Sequence, residues 1–192
     1  MDSIAHGPVG SWTMSRRDCD GGAEKSVPDL LAHDLRVLFV GINPSNCSGA
    51  AGLHFASPGN RFWPTLHRAG FTDRQLRPDE RAELLVRGIG ISNLVNRATA
   101  RADHIQLDEL RAGAERLRRT ILAKHPQTIA VLGKGAYRTA FDDSMAEFGR
   151  QPFDISGAPV WVLPNPSGLN AHYTVERLAE RYRAFREELN DR

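Results

Sequence analysis

The sequence has few of the features that mark disulfide-rich, metal-binding or cofactor-binding proteins. Its 192 residues include only two cysteines, Cys19 and Cys47, which form neither a metal-binding pattern nor a disulfide framework. Because Cys19 falls in a predicted tail, a structural bridge is not expected, and we infer a reducing, cytosolic compartment. The seven histidines have no His-Glu-x-x-His or comparable spacing, so no metal and no other cofactor is predicted.

Long apolar runs and a strong net charge are also missing. No stretch is long enough to span a bilayer, and the N-terminus has no signal-peptide core, so no membrane partner is expected. The formal net charge is only +2, which permits a nucleic-acid partner without requiring one. A hydrophobic content of 41% and a charged content of 25% are typical of a globular protein with a buried core.

The chain is organised around a short apolar run from Val37 to Val40. Its β-branched and aromatic residues predict a central strand. Gly41 frees the backbone at the strand end, and Pro44 cannot donate to a sheet, so the Asn43 amide is left at the carboxyl end of the strand. Ligands bind at that edge of open α/β sheets, although Gly-Ile-Asn-Pro is also compatible with an ordinary turn.

Strand and helix patterns alternate along the rest of the chain. Further strands are predicted near residues 88–95, 128–132 and 159–163, with helices between and after them and a long polar loop over 45–60. The pattern predicts an α/β fold: a three-layer sandwich whose central, mostly parallel sheet of four to five strands has helices on both faces. Residues 1–34 are expected to form a flexible N-terminal extension, and residues 35–192 a single domain.

A second strand ends in the same way as the first. Residues 159–163 run into Pro164-Asn165-Pro166-Ser167-Gly168-Leu169-Asn170, so Asn-Pro-Ser follows an apolar strand twice. Because parallel strands end at one edge of the sheet, both turns are expected to meet there. An apolar Leu169 at a loop tip beside a polar pocket indicates a wedge that enters between DNA base pairs.

Four motifs resemble the mismatch-specific uracil-DNA glycosylases, a family that includes the thymine-DNA glycosylases. They are Gly41-Ile42-Asn43-Pro44, Asn60-Arg61-Phe62-Trp63, Leu132-Gly133-Lys134 and the run from Trp161 to Leu169. The resemblance covers about residues 35 to 188. It implies a monofunctional glycosylase that flips uracil, thymine or another modified pyrimidine out of a mispair with guanine and hydrolyses its N-glycosidic bond. The expected partner is double-stranded DNA with a G·U or G·T mismatch, bound by a monomer.

The resemblance also implies roles for individual residues. Asn43 matches the residue that positions the attacking water; an amide orients water but hardly deprotonates it, so positioning and electrostatics must supply much of the acceleration. Asn93 is an auxiliary catalytic candidate, with a turn-stabilising role as the alternative. The remaining assignments are a base pocket (Ile42, Ser48, Phe55, Asn165), a DNA wedge with contacts to the opposite guanine (Gly168, Leu169, Asn170) and phosphate contacts (Lys134, Ser167).

Three positions depart from the family pattern. Ser45 stands where many members have glycine, and Ala171 and Asn93 stand where the best-known bacterial member has arginine and lysine. These departures leave the range of bases and the dependence on a mismatch open. A non-catalytic binder of damaged or mismatched DNA is one alternative. An unrelated nucleotide-binding α/β enzyme is another, which the missing Gly-x-Gly-x-x-Gly and phosphate-loop patterns disfavour.

Overall fold

A computed structural model describes residues 14–191, which are built around a five-stranded sheet. The strands are β1 (Val37–Gly41), β2 (Ile89–Asn93), β3 (Ile129–Leu132), β4 (Gly149–Arg150) and β5 (Val160–Leu163). Their order across the sheet is β2-β1-β3-β5-β4, and all neighbours are parallel except β4, which runs antiparallel to β5. The predicted α/β fold is confirmed. The sequence did not indicate β4, because two residues are too few for a periodic pattern.

Seven helices precede, join and follow the strands in the described part of the chain. They are α1 (Arg16–Cys19), α2 (Asn46–Ala51), α3 (Phe62–Arg68), α4 (Ala82–Val86), α5 (Leu107–Lys124), α6 (Lys134–Phe141) and α7 (Val175–Asn190). Short 3-10 turns cover Asp20–Gly22, Pro78–Glu80 and Ala102–His104. No helix among the described residues is both long and apolar enough to cross a membrane. Helix α2 lies within the stretch expected to be a loop, where small polar residues give no helical periodicity.

The sheet separates two layers of apolar side chains, because neighbouring residues of a strand point to opposite faces. In β1, Leu38 and Val40 lie in the cluster that contains the buried residues of α5 and α6. Val37 and Phe39 lie in the cluster that contains those of α3 and α7. All four side chains are almost fully buried. The end of β1, and with it Asn43, is therefore held by packing on both sides.

Residues 14–34 pack against the domain, which differs from the expectation of a flexible extension over residues 1–34. Val27 is fully buried, and Leu30 exchanges two backbone hydrogen bonds of 2.8 and 2.9 Å with Ile91 in β2. Glu24 forms an ion pair with Arg97 at 2.9 Å. These partners are distant in sequence and follow no local pattern, so composition alone did not indicate them. The first 13 residues lie outside the described part.

Cys19 and Cys47 form a disulfide that joins α1 to α2, so the prediction that no structural bridge forms was wrong. The prediction placed Cys19 in a free tail, whereas the segment that carries it lies directly on α2. The contact is tight at Gly22, where a Cβ atom would lie 1.7 Å from the carbonyl oxygen of Asn46. Because the cysteines are paired, their number gives no argument for a reducing compartment.

Candidate active site

A cleft of about 640 Å³ opens at the carboxyl ends of β1, β2 and β5. The turns that follow β1 and β5 form part of its wall, as the two Asn-Pro-Ser sequences predicted. It is lined by nine of the predicted site residues: Ile42, Asn43, Ser48, Phe55, Asn93, Asn165, Ser167, Gly168 and Leu169. Asn170 and Lys134 are not among the residues that line it.

The amide of Asn43 is oriented by three acceptors of the protein. Its Nδ2 lies 2.9 Å from the carbonyl oxygen of Pro44, 3.2 Å from that of Arg97 and 2.8 Å from Thr99 Oγ1. The Thr99 hydroxyl donates its own proton to the carbonyl oxygen of Arg101 at 2.7 Å, so it accepts from Asn43. The amide nitrogen therefore faces the protein, and Oδ1 remains as the acceptor for a molecule in the cleft.

Asn93 ends β2 and is oriented by a buried histidine. Its Nδ2 lies 3.3 Å from His54 Nδ1, and His54 Nε2 lies 3.0 Å from the carbonyl oxygen of Pro28. Burial lowers the pKa of His54 to about 4, although the bond to Pro28 opposes this shift. The imidazole is therefore neutral at pH 7: Nε2 donates to Pro28 and Nδ1 accepts from Asn93. Asn93 Oδ1 lies beside Gly41, where a Cβ atom would come within 2.5 Å of it.

Three serines join α2 to the loop that carries Phe55. Ser45 caps α2 by accepting from the backbone N–H of Ser48 at 3.1 Å. Its hydroxyl also bonds Ser48 Oγ at 3.0 Å and accepts from Ser57 Oγ at 2.6 Å. Ser48 is buried and accepts from the N–H of Ala56 at 3.1 Å. Ser45, which stands where many members of the resembled family have glycine, therefore serves as a helix cap.

Phe55 forms one wall of the cleft in an unusual backbone conformation. Its φ of 54° lies in the left-handed region, which a bulky residue adopts only when its surroundings hold it there. The ring is half-buried and stacks on Phe62 of α3, with centroids 4.0 Å apart and planes at 22°. The side chain therefore both lines the cleft and packs against the apolar cluster.

Residues 165–173, which we call the wedge loop, form the rim of the cleft. Leu169 is 71% exposed at the tip. The side chains of the other predicted residues close the loop on itself: Asn165 Oδ1 accepts from the N–H of Ser167 at 3.0 Å, and Asn170 Nδ2 donates to the carbonyl of Asn165 at 2.9 Å. The loop therefore presents an apolar tip on a polar frame.

Lys134 lies outside the cleft, at the start of α6. Its Nζ pairs with a carboxylate oxygen of Glu147 at 2.7 Å and lies 4.9 Å from the ring centroid of Phe148. Arg138 pairs with the other oxygen of Glu147, also at 2.7 Å. The structure thus gives this predicted phosphate-binding residue a partner within the protein.

The cleft offers oriented amides and hydroxyls instead of an acid–base pair. Among the described residues that line it, there is no Asp, Glu or Lys, and Cys47 is bonded to Cys19. Within residues 14–191, no three His, Cys, Asp or Glu side chains are grouped in a way that would hold a metal ion. What the cleft can do chemically is hold a polar molecule and a water in fixed orientations.

Sequence reasoning missed Thr99 and His54, the residues that orient the two asparagines. They lie 56 and 39 residues from their partners, in segments without periodic patterning. The sequence shows only that both lie in polar stretches near predicted strand ends, which is too weak a signal to single them out.

The fold and cleft define an α/β protein with a polar cleft at the carboxyl ends of its parallel strands. Residues 28–190 match the family model of the uracil DNA glycosylase superfamily, and the chain belongs to this superfamily. Its members are DNA glycosylases, which are hydrolases acting on DNA. The match begins seven residues before the predicted domain start at 35. It confirms the predicted resemblance at the level of the superfamily.

Solved structures similar to this chain include the solution NMR structure of a candidate uracil DNA glycosylase from Methanosarcina acetivorans. The two sequences are 20% identical, and the alignment covers 87% of this chain and 98% of the other. The TM-score of 0.60 indicates a shared fold.

Proposed function

We propose that this protein is a monofunctional DNA glycosylase that removes uracil paired with guanine from double-stranded DNA. Thymine and other modified pyrimidines opposite guanine are further candidate substrates. Membership of the superfamily supports glycosylase chemistry on uracil. The mismatch preference, the monomeric state and the residue roles are our inference. The observation that carries the proposal is the orientation of the Asn43 amide, whose Oδ1 has no hydrogen-bond partner among the described residues.

The reaction begins when the target nucleotide leaves the DNA stack. Unstacking and unpairing a base costs a few kcal/mol, and the cost is lower in a mismatch. Leu169, exposed at the rim of the cleft, would fill the gap in the duplex. The backbone of Gly168 and Asn170 would contact the unpaired guanine, which accounts for a preference for mispairs.

The flipped pyrimidine would lie on the wall formed by Phe55. Ile42, with its adjacent backbone, and Ser48 line the same cleft and limit its size. Asn165 Oδ1 already accepts from the N–H of Ser167, so its Nδ2 is the amide group left to donate to a carbonyl oxygen of the base. Asn93 Oδ1 is the matching acceptor for a water, the sugar or the base.

A water held by Asn43 Oδ1 would attack C1′ of the deoxyribose as the bond between C1′ and N1 of the base breaks. As the new C1′–O bond forms, the water would lose one proton to the solvent, and the released base would take up a proton from the solvent. The bonding electrons leave with the base, which departs as an anion, and the sugar passes through an oxocarbenium-like state. Because no carboxylate lines the cleft among the described residues, positioning and electrostatics must provide the acceleration. No lysine lines the cleft there either, so we infer hydrolysis without a covalent lysine intermediate, leaving an abasic site for base-excision repair.

Ser167 and Lys134 are proposed to contact phosphates beside the flipped nucleotide. Ser167 lies in the wedge loop, where its carbonyl and hydroxyl already help to shape the loop. Lys134 would have to leave Glu147, whose side chain is 68% exposed. An exposed ion pair contributes little to stability, so a DNA phosphate can replace this partner at little cost.

The test is single-turnover release of the base from duplexes that carry G·U, A·U or G·T at one position. Wild-type protein should release the base fastest from the G·U duplex. Asn43→Ala should slow this release by about a hundredfold or more, as loss of a transition-state contact does. Asn190→Ala, which removes an amide at the far end of α7, is the matched control and should retain wild-type rates.

Two results would contradict the proposal. If the wild type binds the mismatch but releases no base, the protein is a non-catalytic DNA-binding protein. If Asn43→Ala retains full activity, the water is positioned elsewhere, and Asn93→Ala is the next variant to compare.

A further inference from the structure

The wedge loop has no helix or strand to fix its shape, so its position depends on a few contacts. Its internal hydrogen bonds close the loop but do not attach it to the rest of the domain. Tyr173 anchors the C-terminal end of the loop by packing against Phe148 and the apolar cluster. Two further attachments come from the turn at residues 59–61, which lies between Phe55 and α3. That turn is therefore the connection between the wedge loop and the wall of the cleft.

Arg61 makes the first attachment. Its guanidinium donates to three carbonyl oxygens of the wedge loop, those of Ser167, Asn170 and Tyr173, with the bond to Asn170 measuring 2.9 Å. Its backbone N–H also donates to the carbonyl of Pro166 at 2.9 Å. One residue thus holds both ends and the centre of the loop.

The second attachment is a close backbone contact. A Cβ atom on Gly168 would lie 2.9 Å from the carbonyl oxygen of Gly59. Two residues beyond Gly59, Arg61 precedes α3, whose Phe62 stacks on Phe55 in the cleft wall. The wedge loop and the wall of the cleft are therefore both connected to the turn at residues 59–61.

We propose that Arg61 is the positioning residue that sets the wedge loop for entry into duplex DNA. The proposal rests on the glycosylase function inferred above. A planar guanidinium presents several donors in a fixed fork, so it can hold three carbonyls at once, whereas a lysine provides a single flexible point charge. Both terminal nitrogens of Arg61 bond the wedge loop, and its Nε is buried without a partner among the described residues. The guanidinium therefore binds the loop and is not available to a DNA phosphate.

The first test needs no DNA. Hydrogen exchange at the backbone amides of Leu169 and Asn170 should become at least tenfold faster in Arg61→Met than in the wild type, while exchange in the central strands stays unchanged. Arg68→Met is the matched control, because Arg68 lies in α3 and pairs with the exposed Glu176 instead of the loop. Unchanged exchange in the wedge loop of Arg61→Met would overturn the proposal.

The second test asks whether Arg61 acts through Leu169. On a G·U duplex under single-turnover conditions, Arg61→Met and Leu169→Ala should each slow base release by about tenfold, and the double variant should lose no more than about twofold beyond Leu169→Ala. Arg61→Lys should recover only part of the rate. If the rate reductions of the two single variants multiply in the double variant, Arg61 acts independently of Leu169, and the proposal is refuted.

A third variant covers the case in which Arg61→Met does not fold. Gly168→Ala leaves Arg61 in place but forces the loop away from Gly59, so it should reproduce both the faster exchange and the slower base release. Arg61→Lys then decides the role of Arg61 itself: exchange at Leu169 and Asn170 that stays at the wild-type rate in Arg61→Lys would contradict the proposal. If the wild type itself releases no base, the glycosylase function fails, whereas the exchange measurement still decides whether Arg61 positions the loop.

Discussion

The amide nitrogen of Asn43 lies 2.8 Å from the hydroxyl oxygen of Thr99, and that hydroxyl donates a hydrogen bond of 2.7 Å to the carbonyl oxygen of Arg101. Because the hydroxyl proton of Thr99 is used in the bond to Arg101, the Thr99 oxygen must be the acceptor in its bond with Asn43. Together with the carbonyl oxygens of Pro44 and Arg97, Thr99 thereby determines which side of the Asn43 amide faces the cleft. A residue 56 positions away from Asn43 thus helps to orient the group that is proposed to hold the attacking water.

Replacing Thr99 with valine should impair catalysis more than folding. Thr99→Val keeps the branched shape but removes one of the three acceptors for Asn43. One lost hydrogen bond of about 1.4 kcal/mol corresponds to a tenfold slower single-turnover rate. Thr99→Ser keeps the hydroxyl and should stay within about threefold of the wild type. Equal rates for the valine and serine variants would show that the hydroxyl does not orient Asn43.

The burial of His54 should make the folded protein less stable at acid pH. The folded state holds the pKa of His54 at about 4, below its ordinary value of 6.5. As pH falls, the unfolded chain therefore takes up the proton first, and the free energy of unfolding decreases from about pH 6.5 down to about pH 4, by about 3 kcal/mol in total. Thermal unfolding at pH 7 and pH 4.5 measures this loss.

A variant that lacks His54 separates this effect from general acid unfolding. His54→Gln should show a smaller loss of melting temperature between pH 7 and 4.5 than the wild type. His172→Gln, at an exposed position of the wedge loop, is the matched control and should keep the wild-type profile. A wild-type profile in His54→Gln would mean that His54 is not the group responsible.

Adding a methyl group at Gly41 should disturb the cleft. A Cβ there would lie 2.5 Å from Asn93 Oδ1 and 3.4 Å from Phe55 Cζ, so both side chains would have to shift. We expect Gly41→Ala to slow base release by about tenfold or more. Gly135→Ala is the control: its Cβ meets no atom within 4 Å, and it should raise the free energy of unfolding of α6 by up to about 1 kcal/mol without changing the rate.

Reduction of the disulfide should lower the stability of the protein. The bond closes a loop with a sequence separation of 28 residues, and a crosslink of that span is worth about 3 to 4 kcal/mol in the chain-entropy description. For a domain of this size the melting temperature should fall by about 10 °C in dithiothreitol. The double variant Cys19→Ser with Cys47→Ser should melt at this lower temperature with or without the reductant. A wild-type melting temperature that does not respond to the reductant would contradict this.

The elements with strong apolar patterns were predictable from the sequence, and they determine the fold. The runs at 37–40, 128–132 and 159–163 become β1, β3 and β5, and the residue pattern from Leu107 becomes α5. Helix α2 and the disulfide were missed. Small polar residues leave α2 without periodicity, and the pairing of Cys19 with Cys47 depends on how the N-terminal segment folds back, which no local pattern encodes.

The position of Asn43 was predictable because a strand end and a proline locate it, but its orientation was not. Orientation depends on acceptors from other loops, such as Thr99, and the same is true of Asn93 and His54. Lys134 was singled out by its motif, yet its observed partner is Glu147, which lies 13 residues further on. A motif gives the residue type and the strand end, whereas the three-dimensional structure gives the partners.

The contact between Leu30 and Ile91 bears on how copies of this chain behave toward each other. β2 is an outer strand of the sheet. If nothing covered its outer side, the backbone N–H and C=O groups there would be open to hydrogen bonding with a strand of another molecule. Leu30 occupies the N–H and C=O of Ile91 with two hydrogen bonds. A chain shortened to begin at residue 35 would lose this cover. We expect this shortened chain to self-associate through β2 and to be prone to aggregation. The N-terminal segment therefore protects the edge of the sheet from pairing between molecules.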